Sequence, residues 1–342
     1  MAHVVMADDG IAFDGATAEA GPLGGAETAF VALAEALAAR GHRVEARSNC
    51  HAPLCHNAVA WAPLASDVPR QCDLYIGNRG HRVIGLAPEA KRRLFWLHNP
   101  AGYLKKPRFL ARLVKYRPML IVTGNYHAST VPRWLPCERR IIRYGVLDCF
   151  RRAARREPPP PRAIFTSNPL RGLYWLLDLW AGRIIPDVSD AELHIYSGAA
   201  VYGDGVREER ARDMERLLDR ADEFASSRVR LHAPVDRAAL VEVLAGARVM
   251  LYRGDPGETF CLALAEAQAM GVPAVVQPRG SVVERVIDGV TGHIAADEDS
   301  FADAAIALLE NDDLWRRFHA EALARQRGQS WDEIAAQFEA LI

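Results

Sequence analysis

RVMLYRGDPGETFCLALAEAQAMGVPAVVQ, residues 248–277, holds a complete strand, turn, helix and second strand. The apolar run RVMLY reads as a strand ending near Arg253, and GDPG reverses the chain. An apolar helix is predicted from about Thr259, stopped by Gly271-Val272-Pro273 before the next strand, AVVQ. Two buried strands separated by one helix form the step of a parallel sheet wrapped by helices. Two acids interrupt this apolar segment, Glu258 at the mouth of the predicted helix and Glu266 within it.

On one regular helix, eight residues separate the two carboxylates by roughly 12 Å along the axis and about 80° around it. Glycosidase pairs stand roughly 5 to 9.5 Å apart, so a two-carboxylate hydrolase is disfavoured. The spacing suits a ligand with a hydroxyl-rich group at each end. The backbone N–H groups of Thr259, Phe260, Cys261 and Leu262 would start the helix between the two acids, ready for phosphate. Sugar, diphosphate and ribose in line is what a nucleotide sugar offers. Leu262, Ala263, Leu264, Ala265, Ala267 and Ala269 leave little polar face, so Glu266 is expected to be half-buried and to need a partner.

The same alternation runs outward in both directions. HVVM (3–6), VEARS (44–48), DLYIG (73–77), LFWL (94–97), MLIVT (119–123) and RIIR (140–143) read as strands of a first half. RAIFT (162–166), ELHIY (192–196) and RVRLH (228–232) join the opening segment in a second. Between them lies RRAARREPPPPR, residues 151–162. Its four consecutive prolines can neither pair in a sheet nor continue a helix, so the domain boundary is expected there. The fold class is α/β, with two Rossmann-like doubly wound domains facing a central cleft. The domains are expected over 1–152 and 153–325, with a C-terminal helix in 326–342 crossing back to the first. In such sheets ligands sit at the carboxyl ends of the strands.

The chain has 342 residues, 50% apolar and 25% charged, an ordinary globular balance with room for two domains. No apolar run reaches bilayer length, and MAHVVMADDG lacks a secretory leader pattern, so a cytoplasmic protein is expected. Cys50, His51, Cys55 and His56 offer metal-ligand chemistry without a finger spacing, and read as a loop with incidental thiols; no metal is expected. The net charge of −1 hides an asymmetry. Residues 1–150 carry 19 basic and 12 acidic side chains, and the rest carry 23 and 31. No acid occurs between Glu89 and Glu138. YLKKPRFLARLVKYRPML, 103–120, reads as a basic amphipathic helix with Phe109, Leu110, Leu113 and Val114 on one side, able to touch an anionic membrane. Its aromatics are not interleaved as stacking platforms, so nucleic acid is not an expected partner.

The glutamate pair at 258 and 266 resembles the motif of family 4 retaining glycosyltransferases, which have the GT-B fold. PLGGAETAFVALAEALAARGHRV (22–44) resembles that family's glycine-rich first loop and helix, SNPLRGLYWLLDLW its donor-phosphate loop, and GSVVERVIDGVTGHI its late signature. The resemblance implies that Glu266 holds the ribose hydroxyls and Glu258 the transferred sugar, with backbone amides at Phe260 to Leu262 touching sugar or phosphate. Arg171 stands at the family's diphosphate-binding lysine, with Asn168 in the same loop. Gly24 and Gly25 would let backbone approach the donor, and either could equally be a turn glycine of positive φ. His98, in FWLHNP, matches the family histidine that faces the reacting sugar. Five positions before Arg171 the family has a second basic residue, where this chain has Thr166. Hydroxyl and amide groups of Thr166, Ser167 and Asn168 take its place, or a cation arrives from elsewhere.

The expected function is therefore retaining, metal-independent transfer of a sugar from a nucleoside diphosphate to a hydroxyl of a saccharide, glycolipid or secondary-metabolite acceptor. No cofactor is expected, and UDP is the donor nucleotide suggested by family frequency. Two rivals share the architecture: a nucleotide-sugar-binding protein without catalysis, and a nucleotide-sugar epimerase. The absence of GxGxxG after the first strand argues against a nicotinamide dehydrogenase.

Overall fold

A computed structural model describes residues 1–198 and 208–342. The chain divides into two compact units, Met1–Gly145 with Gln329–Ile342, and the described residues of 146–328.

The first unit is built on eight strands: β1 (His3–Asp8), β2 (Arg43–Ser48), β3 (Leu54–His56), β4 (Val59–Pro63), β5 (Leu74–Asn78), β6 (Arg92–Trp96), β7 (Met119–Val122) and β8 (Arg139–Ile141). Their order is β3-β4-β2-β1-β5-β6-β7-β8, parallel except for the β3–β4 hairpin. Cys55 and His56 thus lie in an edge strand, where a loop is expected from sequence. Three residues, the middle one exposed, supply too short an alternation to read. The order reverses between β1 and β5, so the loops after these strands flank the crevice where doubly wound sheets take ligands. Helix Gly25–Ala39 follows β1 and buries Phe30, Leu33, Ala34 and Leu37. Gly24 caps it in an extended conformation (φ −58°, ψ 150°), and the Thr28 N–H donates to the Gly24 carbonyl at 2.8 Å. Neither Gly24 nor Gly25 has positive φ, so the turn role open to them from sequence is not the one they fill.

The chain ends in the first unit. Helix Trp331–Glu339 starts with a reciprocal cap between Ser330 and Glu333. It buries Trp331, Ile334, Ala335 and Phe338, and sets the Phe338 ring 5.4 Å from Trp96. Arg40 pairs with Asp332 and Glu339 at 2.8 and 2.6 Å. The two ends of the first unit's sequence thus share one apolar core.

The second unit carries β9 (Arg162–Phe165), β10 (Glu192–Tyr196), β11 (Val229–His232), β12 (Val249–Tyr252), β13 (Ala274–Val276) and β14 (Gly292–Ile294), all parallel in the order β11-β10-β9-β12-β13-β14. Its switch point lies between β9 and β12. The units part after Gly145 rather than at the proline run, because residues 151–161 are tied into the second unit. Arg327 donates to the carbonyls of Arg151 and Ala153, and Arg156 donates to those of Leu244 and Met270. The Pro159 and Pro161 carbonyls accept from Arg248 and from the Glu192 N–H. The prolines therefore border the sheet as an acceptor-only strip and do not span free space between domains.

Candidate functional site

The switch point of the second sheet brings two loops together, one after β9 and one after β12. Asn168 shapes the first: its side-chain oxygen accepts from the Leu170 N–H, and its carbonyl from the Arg171 N–H, both at 2.9 Å. That double turn directs the Arg171 side chain across to the second loop. There Asp255 accepts from the N–H of Gly257 through its carboxylate and from the N–H of Glu258 through its carbonyl, at 2.6 and 2.9 Å. The tight turn presents Glu258. Gly280, at φ +66°, packs on this turn so closely that a Cβ there would meet the Asp255 carbonyl at 2.2 Å, and the next N–H, of Ser281, donates to the Glu258 carbonyl at 3.1 Å. Only glycine fits that contact.

Glu258 is buried and held by two donors, the Arg171 guanidinium and the Tyr252 hydroxyl, the latter at 2.8 Å. Burial and the neighbouring Glu258 carboxylate hold the Tyr252 phenol well above its ordinary range, so it is a fixed hydrogen-bond donor. Sequence reading pairs neither donor with Glu258. Tyr252 is the last residue of an apolar strand, and only its place at the carboxyl end marks it.

The helix starts later than expected, at Leu262, and runs to Ala269. Thr259 and Phe260 lie in the bend before it, and Cys261 caps it in the left-handed region (φ 66°, ψ 77°), which no helical residue occupies. Glu258 is therefore outside the helix, and the single-helix geometry of the two acids does not apply. The first helical amides are those of Leu262, Ala263 and Leu264; the first intrahelical bond runs from the Ala265 N–H to the Cys261 carbonyl. Glu266 sits in the middle of the helix, half-buried. Burial pushes its carboxyl up to about 7, against the opposing pull of Arg237. A carboxyl so perturbed in a loop-lined switch point is the kind of group that marks functional sites.

In the first unit a second polar cluster occupies the carboxyl ends of β1, β5 and β6. His98 is buried, with Nδ1 against the Tyr144 hydroxyl and Nε2 against the Asn78 side-chain oxygen. An amide oxygen only accepts, so Nε2 carries the proton and Nδ1 accepts from Tyr144. Asn78 in turn donates to Asp8, which accepts also from the Gly10 N–H at 2.6 Å. Arg79, in the left-handed region at φ 64°, stands 3.3 Å from Asp8 and 2.6 Å from Glu27. Burial, reinforced by the Arg79 charge, holds the His98 imidazole well below its ordinary range, so it is neutral. Asp8, Glu27, Asn78, Arg79 and Tyr144 escape a sequence reading. Asp8 and Asn78 signal themselves only as a charged and an amide group ending otherwise apolar strands.

Two doubly wound sheets, one carrying an arginine–glutamate pair and a helix start at its switch point, define the class: the fold is the GT-B fold of glycosyltransferases. The comparisons narrow this. Residues 161–311 match the family model "Glycosyl transferases group 1". The chain is 32% identical over 199 residues to a D-inositol 3-phosphate glycosyltransferase of Xylanimonas cellulosilytica, covering 52% of this chain and 46% of that protein. It is 30% identical over 173 residues to a phosphatidyl-myo-inositol mannosyltransferase of Mycobacterium leprae, covering 50% and 42%. The chain thus spans about half the length of the curated relatives it matches. Among solved structures, the sucrose-phosphate synthase of Thermosynechococcus elongatus superposes with a TM-score of 0.74 at 18% identity, over 99% of this chain and 98% of that one. HepE of Anabaena, in complex with UDP-glucose, superposes with a TM-score of 0.73 at 14% identity, over 99% of both.

Proposed function

We propose that the protein is a retaining glycosyltransferase of family 4 type, moving a sugar from a nucleoside diphosphate to a hydroxyl of a saccharide, glycolipid or secondary metabolite. One observation carries the reading: at the switch point of the second sheet, Arg171, Glu258 and the amides of Leu262 and Ala263 gather where a ligand of such sheets sits. Glu258 would receive the transferred sugar, Glu266 the ribose, and Arg171 with the helix amides the diphosphate. The bond from the sugar's anomeric carbon to the diphosphate breaks and a bond to the acceptor oxygen forms on the same face. The acceptor's hydroxyl proton goes to the departing diphosphate oxygen. The protein's contribution is alignment and stabilisation of the negative charge that develops on that oxygen. Gly24 and Gly25, and His98 through exchange of one of its ring partners, belong to the sugar and acceptor side of this reading. UDP is the proposed donor nucleotide, and the reaction runs without cofactor.

Incubation with UDP-, GDP- and ADP-sugars, followed by NMR of the anomeric proton, tests this. The expected result is slow release of nucleoside diphosphate with the configuration kept in the freed sugar. Binding without any hydrolysis or transfer supports the non-catalytic rival, and a changed sugar without acceptor supports the epimerase.

We further propose that the first unit rests on anionic membrane. Helix Pro107–Tyr116 buries Phe109 and Leu113 in the core against Phe95 and Leu120, so its apolar side faces inward. The support comes from what stays outside: Lys105, Lys106, Arg108 and Lys115 are exposed, as are Val114 (53%) and, later in the same acid-free stretch, Trp134 (60%). Among the described residues no helix is long and apolar enough to cross a membrane. Co-sedimentation with vesicles containing phosphatidylglycerol should capture the protein at low salt and release it at about 0.5 M, where charges are screened within a few ångströms. Equal capture by neutral vesicles would contradict it.

A further inference from the structure

A cavity of about 600 Å³ opens in the second unit between the segment before the prolines and helix Asp312–Arg325. That volume is in the range of small-molecule sites, roughly 300 to 1,000 Å³. Arg155, Arg156 and Glu157 form one wall, and Arg316, Arg317, His319 and Glu321 the other.

The charges on these walls do not balance. Glu157 is taken by Arg316 at 3.0 Å, and Glu321 by Arg325 on the next turn. His319 is neutral, because burial pulls its imidazole down to about 4. Its Nδ1–H donates to the Gly271 carbonyl at 2.7 Å, and its Nε2 accepts from the Arg156 N–H at 3.2 Å. Arg156 spends its guanidinium on the carbonyls of Met270 and Leu244, at 2.8 and 3.3 Å, which close the C-terminal ends of helices Leu262–Ala269 and Arg237–Ala245. Those negative helix ends offset its charge. Arg155 and Arg317 remain, both exposed and in no ion pair among the described residues, the Arg317 guanidinium lying over the Phe318 ring at 5.4 Å from its centre. Two guanidinium forks across a cavity suit bidentate recognition of phosphate oxygens.

We infer that this cavity is a second anion site, separate from the Arg171–Glu258 cluster, for a small phosphorylated molecule that Arg155 and Arg317 grip together and that acts on the donor helix from its far end. The route is short. The same walls hold the Met270 and Gly271 carbonyls through Arg156 and His319, and those carbonyls end the helix that carries Glu266. An occupant joining Arg155 to Arg317 fixes both walls, and with them the end of that helix. This action on the helix rests on the donor reading above; the existence of the site does not.

Calorimetric titration of the full chain with inorganic pyrophosphate, and separately with a hexose phosphate, tests the inference on four proteins: wild type, R155A/R317A, R317E and R171A. The two ligands tell a polyphosphate occupant from a sugar phosphate. Saturable binding that weakens at least about tenfold in R155A/R317A and in R317E, but persists in R171A, is the expected result. Both altered arginines are exposed, and unchanged circular dichroism shows that the variants fold. Pyrophosphate binding lost in R171A and kept in R155A/R317A would place the ion in the donor site alone and overturn the inference, as would no saturable binding of either ligand. With the cavity site saturated by hexose phosphate, the nucleoside diphosphate affinity of wild type is expected to rise about threefold or more, and that of R155A/R317A to stay unchanged. Binding at the cavity with no such change in wild type would overturn the action on the helix, whatever the outcome of the catalytic tests.

Discussion

Glu258→Gln is expected to lower kcat/KM for sugar transfer by about 10² to 10³, the loss seen when one group that meets developing charge is removed from a water-excluded site. Gln keeps the volume of the buried side chain and can still accept from Tyr252, but it abandons the ion pair with Arg171. Arg171 is partly open to water, so the stability cost is modest, about 1 kcal/mol. A kinetic assay with the natural or a surrogate acceptor, together with a melting curve, separates chemistry from folding. Activity within about threefold of wild type, with the fold intact, removes Glu258 from the reacting centre. Arg171→Lys is the companion variant. A point charge cannot reproduce the forked guanidinium that faces Glu258 and, in this account, the diphosphate.

Glu266 carries the second large effect, and its size depends on pH. Its carboxyl sits at about 7 in the folded chain, raised from 4.5 by burial. The ionised form accepts from two ribose hydroxyls, so nucleotide affinity should climb between pH 6 and 8 and level off above. Glu266→Gln should flatten that climb, and Glu266→Ala should cost about 10- to 100-fold in affinity at pH 8, the worth of hydrogen bonds to a charged group. Stability moves the other way. A group whose folded pKa lies above its unfolded one holds its proton longer in the native state. Its stabilising contribution is therefore complete below about 4.5 and gone once pH passes about 7. That loss amounts to as much as about 3 kcal/mol, reduced by the partial exposure of the side chain. Urea denaturation of wild type and Glu266→Gln across pH 4.5 to 8 should show the slope in the first protein only. Equal slopes, or an affinity indifferent to Glu266→Ala, would detach this residue from the nucleotide.

The sheets are legible in the sequence because parallel strands covered on both faces are short continuous apolar runs, as in LFWL and RVMLY. β3 and β14 are not, since strands of three residues are too short for a pattern to be read. The start of the donor helix is misread for a backbone reason: Cys261 stands in the left-handed region, and nothing in TFCL announces it. The proline run reads as a spacer because prolines cannot donate, yet their carbonyls accept from Arg248 and Glu192 far along the chain. Glu258, Glu266 and Arg171 stand out as polar groups in or beside apolar elements. Their partners do not. Tyr252 and Tyr144 are strand-end and loop tyrosines, and the Arg79–Glu27 contact joins the residue after β5 to the first turn of helix Gly25–Ala39. Such cross-chain contacts leave no periodic trace.

The central claim is that one turn and one helix of the second unit receive a nucleotide sugar. A crystal structure with a bound nucleoside diphosphate tests it most directly. The account predicts diphosphate oxygens within hydrogen-bonding reach of Arg171 and of the Leu262 and Ala263 amides, with the ribose hydroxyls on Glu266. Nucleotide density away from helix Leu262–Ala269 would contradict it.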